Sequence, residues 1–229
     1  MKNRCLCVLL FAGLFISVAV AAETAQKAPE PWMIPVTDVP GLPRVLMLGD
    51  SISAGYHVPV RTRLAGKANV HRPAENCAES ANGVKKIDRW LGDGKWDMVH
   101  FNFGLHDLKY LDEKGAYVPP EKGKQVALLP EYEKNLRLIV ARLKKTGARL
   151  IFATTTPVPS QSNARVENDD LRYNEVAVRV MKELGVALDD LHAVAQRQQA
   201  KIQLPHNVHF TPEGYEILAD SVVRSILKK

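Results

Sequence analysis

Apolar residues along this chain fall into two alternating rhythms. Short continuous runs, Val45-Leu46-Met47-Leu48, Trp96 to Phe103, Leu150-Ile151-Phe152-Ala153 and Val186-Ala187-Leu188, have the content of strands buried on both faces. Between them apolar positions recur at helical spacing: Val84, Ile87 and Leu91; Tyr132, Leu136, Ile139, Val140 and Leu143; Tyr173, Val176, Ala177, Val180, Met181 and Leu184. Gly92, Gly147 and Gly185 close these helices, where a left-handed residue turns the chain back toward the sheet. A last helix starts at Thr211-Pro212, a good N-cap and first-turn pair, and buries Tyr215, Leu218, Val222 and Ile226. Ala68 to His71 is a further short strand. Strands alternating with helices imply right-handed crossovers and a parallel sheet covered on both faces.

Three stretches break the rhythm. Ala54 to Gly66 reads as a loop. Residues 109–130 carry Gly115, Pro119, Pro120 and Gly123 and read as an excursion from the core, either a substrate-contacting lid or a solvent-exposed insertion without a role. Residues 23–43 hold five prolines and little periodicity, which predicts an extended lead-in laid over the surface or left mobile, with the domain spanning 44–229.

Composition adds a compartment. Lys2 and Arg4 precede an uncharged apolar stretch from Cys5 to Val20 and then Ala21-Ala22-Glu23, the layout of an export signal covering residues 1–22. That stretch is slightly short for a membrane span, so the mature protein is expected to be secreted or periplasmic, with no membrane attachment. Cys5 and Cys7 leave with the signal, and Cys77 alone cannot form an internal disulfide, so packing must hold the fold. With 229 residues, 46% of them hydrophobic, the chain suffices for one domain with a substantial core. The formal charge of +6 is spread without a run of like charges, which argues against a nucleic-acid partner.

Chemistry-bearing residues collect where strands end. Gly49-Asp50-Ser51 terminates the first strand, Gly104-Leu105-His106-Asp107 follows the Trp96 to Phe103 strand, and His209 precedes the last helix. Ligands of open α/β sheets bind outside the carboxyl ends of the strands, so all three fall where one crevice could gather them. Asp50 and Ser51 could also simply cap the next helix. A serine nucleophile needs an adjacent base, most often histidine, and donors aimed at the developing oxyanion. No Gly-x-Ser-x-Gly elbow surrounds Ser51, which argues against a lipase-type α/β-hydrolase. His206 and His209 could share a metal, but no third ligand or His-Glu-x-x-His pattern accompanies them, so neither metal nor other cofactor is expected. His100, inside a strand, reads as structural.

From Val45 onward the chain resembles the SGNH (GDSL) hydrolase family. Gly49-Asp50-Ser51-Ile52-Ser53 matches its first block, Gly104-Leu105-His106-Asp107 stands in the place of its Gly-x-Asn-Asp block, and Val208 to Gly214 matches its last. The resemblance implies a flavodoxin-like three-layer α/β/α sandwich with a mostly parallel five-stranded sheet. It implies Ser51 as nucleophile and His209 as general base, with the oxyanion held by the Ser51 N–H, by a backbone N–H near Ala78, and by His106 in place of the usual asparagine. The largest departure concerns the acid: the family's aspartate three residues before the histidine is His206 here. Either a backbone carbonyl orients His209 in a Ser-His dyad, or another carboxylate substitutes, Asp189 and Asp190 being nearest by topology.

These features predict an exported serine esterase that hydrolyses small acyl esters, acetyl above all, on carbohydrate. An arylesterase or lysophospholipase specificity stays open, as does a catalytically weak glycan-binding protein motivated by the missing aspartate and the altered oxyanion residues. The expected partner is a small-molecule or glycan ester, and the oligomeric state is left open.

Overall fold

The computed structural model describes residues 28–228, so the leader expected over residues 1–22 lies outside the described residues. In chain order the strands are β1 (Arg44–Leu48), β2 (Asn69–His71), β3 (Met98–Phe101), β4 (Tyr110–Leu111), β5 (Lys124–Gln125), β6 (Arg149–Ala153) and β7 (Ala187–Asp189). The α-helices are α1 (Ser51–Arg63), α2 (Ser80–Leu91), α3 (Leu129–Lys144), α4 (Asp169–Glu183), α5 (Leu191–Gln196), α6 (Gln199–Ile202) and α7 (Pro212–Leu227).

Five strands form one sheet in the order β2-β1-β3-β6-β7, every neighbouring pair parallel, with Val45 opposite both Val70 and Met98, and Val99 opposite Leu150. This is the flavodoxin-like order expected from the sequence, and its apolar runs are buried on both faces. Helices α1, α5 and α7 pack together, and α2, α3 and α4 pack in succession, giving the outer layers of an α/β/α sandwich. The chain passes from β1 outward to β2 and then back across β1 to β3. The order therefore reverses between β1 and β3, and a crevice opens beyond their carboxyl ends.

The stretch expected as a loop from Ala54 is instead most of α1. Gly55 and Pro59 read as breakers, and Pro59 does remove one N–H from the helical ladder. However, Ile52, Tyr56 and Val60 recur every four residues and are buried, so tertiary packing outweighs the local cost. At Gly55 the helix packs directly against α7: a Cβ built there would lie 2.1–2.6 Å from ring atoms of Tyr215. The short helices α5 and α6 were not expected, and β3 is shorter than the apolar run containing it.

The lead-in, where described, is laid over the surface. The Asn69 side chain in β2 accepts from Val39 N–H (2.9 Å) and donates to the carbonyls of Val39 and Leu42 (3.0 and 3.2 Å). Arg72 stacks its guanidinium 4.7 Å from the Trp32 ring, and Arg61 donates to the carbonyls of Pro31 and Ile34. These contacts fasten the segment against edge strand β2 and α1, next to backbone that would otherwise stay open for pairing. The 109–130 excursion carries the antiparallel pair β4–β5, and Tyr117 from its tip faces the crevice.

Candidate active site

Ser51 is the first residue of α1, three residues past the end of β1. Asp50, buried beneath it, caps the helix by accepting from Ile52 N–H at 2.9 Å, so the helix-capping reading of Asp50 holds alongside any chemistry of Ser51. The turn is braced from behind, where the Gly49 carbonyl accepts from Cys77 N–H and from the Arg72 guanidinium, both at 3.1 Å.

His209 sits on the loop between α6 and α7, held by Leu204 N–H donating to its carbonyl (2.9 Å) and by Thr211 N–H donating to Ile202 (2.8 Å). Thr211 caps α7 as expected. The structure brings Ser51 and His209 together from 158 residues apart: Ser51 Oγ lies 2.8 Å from His209 Nε2. On the other side of the ring, His209 Nδ1 lies 2.8 Å from Asn207 Oδ1, which also accepts from the His209 backbone N–H at 3.0 Å. That second bond fixes the oxygen of the amide toward the histidine, so Nδ1 must carry the ring proton and Nε2 is left to accept from Ser51. Burial lowers the His209 pKa below its usual value, reinforced by the Arg165 cation and opposed by Asp50.

Both expectations for the missing acid are corrected. Asp189 accepts from His100 Nε2 (3.0 Å) and Ser221 Oγ (2.8 Å) within the core, and His100 is structural in that pairing. Asp190 caps α5 through Ala193 N–H and accepts from Thr154 Oγ1. Neither carboxylate bonds His209, and the orienting group is a side-chain carbonyl, not the backbone carbonyl of a bare dyad. Asn207 is not among the expected residues, because the family pattern places the orienting group three residues before His209 and as a carboxylate. The available signal was an asparagine two residues before the histidine, a residue type that bonds its own loop backbone. His206, with φ 54°, sets its Nδ1 3.1 Å from the Ser160 carbonyl at the rim.

His106 follows Gly104, whose φ of 149° and closeness to Thr155, 2.2 Å from any added Cβ, admit only glycine. The Lys109 ammonium, itself buried, donates to His106 Nδ1 at 3.2 Å and to Tyr117 Oη at 3.1 Å. Burial and the cations Lys109 and Arg165 lower the His106 pKa, with Asp50 and Glu79 opposing. A neutral ring whose Nδ1 accepts must carry its proton on Nε2 and can donate from there. Ala78 has φ 56°, the left-handed conformation for which glycine is usual, but its N–H is engaged by Asn76 Oδ1 at 2.8 Å. Two residues on, Ser80 N–H donates to the buried Asp107 carboxylate at 3.0 Å, which ties the start of α2 to the turn that follows β3. Ser51, Asn76, His106, Tyr117, Arg165 and His209 share one cavity of about 410 Å³. Among the described residues no group of three or more His, Cys, Asp or Glu side chains is placed to hold a metal.

The profile of the GDSL-like Lipase/Acylhydrolase family matches residues 47–217. Among solved structures, Axe2, an acetylxylan esterase from Geobacillus stearothermophilus, is similar with a TM-score of 0.66 and 19% identity, covering 82% of this chain and 95% of its own. A lipase/acylhydrolase from Enterococcus faecalis gives a TM-score of 0.65 at 18% identity over 81% and 95% of the two chains. The acetyl xylan esterase AlAXEase gives 0.65 at 14% over 80% and 100%. At such identities these likenesses carry the fold. No curated protein matches the chain.

Proposed function

The chain belongs to the GDSL-like lipase/acylhydrolase (SGNH hydrolase) family of carboxylic ester hydrolases, and from that premise we propose that it is an exported serine esterase removing small acyl groups, acetyl above all, from carbohydrate. The observation that carries the reading is the Ser51–His209 hydrogen bond with the far side of the imidazole pinned by Asn207.

In the proposed reaction Ser51 Oγ attacks the ester carbonyl while its proton passes to His209 Nε2. Negative charge collects on the carbonyl oxygen, facing the Ser51 N–H and the protonated nitrogen of His106. Ala78 N–H joins them only when the exposed Asn76 side chain releases it. Collapse breaks the bond to the alcohol oxygen, which takes the proton from His209 and departs. Water then gives its proton to His209 Nε2 and attacks the acyl-Ser51, and the acid leaves as serine regains its proton. Asn207 supplies orientation without charge, so the imidazolium gains less stabilisation than beside a carboxylate.

A cavity of about 410 Å³ lined mainly by polar side chains suits a short acyl group on a hydroxylated partner better than a long lipid tail. The similar structures described as acetylxylan esterases support the same choice. The inactive glycan-binding alternative had two motives, the missing aspartate and the altered oxyanion residues; Asn207 on the far side of the imidazole weakens the first and leaves the second to the activity assay. Acetate release from 4-nitrophenyl acetate and from acetylated xylo-oligosaccharides tests the reading. Ser51→Ala is expected to lower kcat by roughly 10³-fold or more; unchanged turnover in that variant overturns it.

A further inference from the structure

One cation in the active-site cavity has no part in the proposed acyl transfer. Arg165 enters from the loop between β6 and α4. Its Nε donates to the Leu105 carbonyl and its Nη1 to the Asn163 carbonyl, both at 3.1 Å. These two bonds hold the guanidinium through neutral acceptors. Among the described residues no carboxylate forms an ion pair with it, and no Asp or Glu lines the cavity. Of its five N–H donors, three remain, including both on Nη2, at the end of the fork that matches an oxyanion with two parallel bonds. Lys109, the neighbouring cation, is by contrast committed to His106 and Tyr117.

The loop that delivers Arg165 is built at a cost. Gln161, Ala164 and Asn168 all take left-handed conformations, with φ of 59°, 56° and 60°, without being glycine. Such backbone persists only where its surroundings over-determine it. Here the Ala164 carbonyl accepts from Tyr110 N–H at 2.8 Å and Asn168 N–H donates to the Val158 carbonyl at 3.1 Å. Burial also lowers the Arg165 pKa, with only Tyr117 and Asp50 acting against it, so the charge sits in an environment that does not compensate it. An anion in the cavity would.

We propose that Arg165 recognises an anionic group, carboxylate or sulfate, carried by the substrate near the scissile ester, so that the natural substrate is an acylated acidic saccharide and not a neutral one. This rests on the esterase reading of the same cavity. As the tetrahedral intermediate collapses, the leaving alcohol would keep its anion against the guanidinium, which orients the departing oxygen toward the proton on His209.

The test compares acetyl esters that differ only in charge: 3- and 4-acetoxybenzoate against the matching acetoxybenzamides, each rate divided by its hydroxide-catalysed rate. The expected wild-type preference for the anion in kcat/KM is roughly tenfold or more at low salt. That ratio should fall toward unity in R165Q and recover in part in R165K, whose point charge lacks the fork. 4-Acetoxybenzenesulfonate separates sulfo from carboxylate recognition. A wild-type ratio near one, or R165Q lowering anionic and neutral esters by the same factor, overturns the proposal; the latter would place Arg165 in acyl transfer itself. Titrating wild type and R165Q with 4-hydroxybenzoate and 4-hydroxybenzamide reads the same preference as a ratio of dissociation constants without turnover. Failure of all four esters with the binding ratio intact therefore counts against the esterase reading and for the anion site, whereas hydrolysis without preference counts against the anion site alone.

Discussion

At the scale of the residue, the proposed base is paired with a neutral amide, Asn207. His209 must be uncharged to accept a proton, and its neutral fraction grows as pH rises through its pKa. Because burial lowers that pKa, the acid limb of kcat/KM is expected below about pH 6.5, the ordinary histidine value. Asn207→Asp puts an anion on the same ring nitrogen, which favours the imidazolium and should move that limb upward by about one pH unit. Asn207→Ala leaves Nδ1 without its acceptor and frees the tautomer, at a cost of roughly 10²–10³ in kcat. A pH–rate profile of the three proteins checks both; an unmoved limb in Asn207→Asp would mean that Asn207 does not orient the base. The pairing of Ser51 with His209 was legible in the sequence because a serine just past a buried strand and a histidine just before a well-capped helix match the chemistry proposed for them. Asn207 was not, since an asparagine near a histidine is common and only the folded loop turns its oxygen inward. Nor was the Lys109–His106 bond legible, because it depends on burying a lysine beside an imidazole.

At the scale of the element, α1 opens on Ser51 and α7 follows the loop that holds His209, the two halves of the proposed catalytic pair. These two helices pack against each other, and Gly55 leaves the room that the Tyr215 ring fills. Helix propensity alone would make Gly55→Ala stabilising by about 1 kcal/mol. With a Cβ driven into the ring the sign reverses: the variant is expected to lose about 1–3 kcal/mol in denaturant unfolding, together with part of its turnover. A stabilised, fully active Gly55→Ala would show that Tyr215 moves aside freely. The same glycine explains why α1 was misread as a loop. Gly55 and Pro59 signal a break to any local reading, while the reason for a small residue there lies on α7, about 160 residues away in the chain. Helices α2, α3, α4 and α7 were legible because their apolar stripes and terminal glycines or caps agree with their packing.

At the scale of the whole molecule, the βα rhythm was enough to place the crevice, because a parallel sheet with one reversal in strand order has few places to put a ligand. What it could not give is how the crevice walls are locked together, and Asp107 is one such lock. Its carboxylate takes Ser80 N–H and Oγ–H and so joins the turn after β3, which carries His106, to the start of α2 beside Ala78. Burial outweighs these donors and pushes its pKa up to about 7. Between the unfolded value near 4 and the folded value near 7, the native state holds a proton that the unfolded state has released. Stability from this group is therefore full below about pH 4 and falls as pH rises, by an amount on the order of a few kcal/mol by pH 8. Asp107→Asn keeps one acceptor and cannot ionise, so it lacks this slope. Urea unfolding of both proteins should show the wild type's advantage over the variant shrinking from pH 5 to pH 8. A constant difference would mean that Asp107 is ionised throughout, its bonds to Ser80 having overcome the cost of burial.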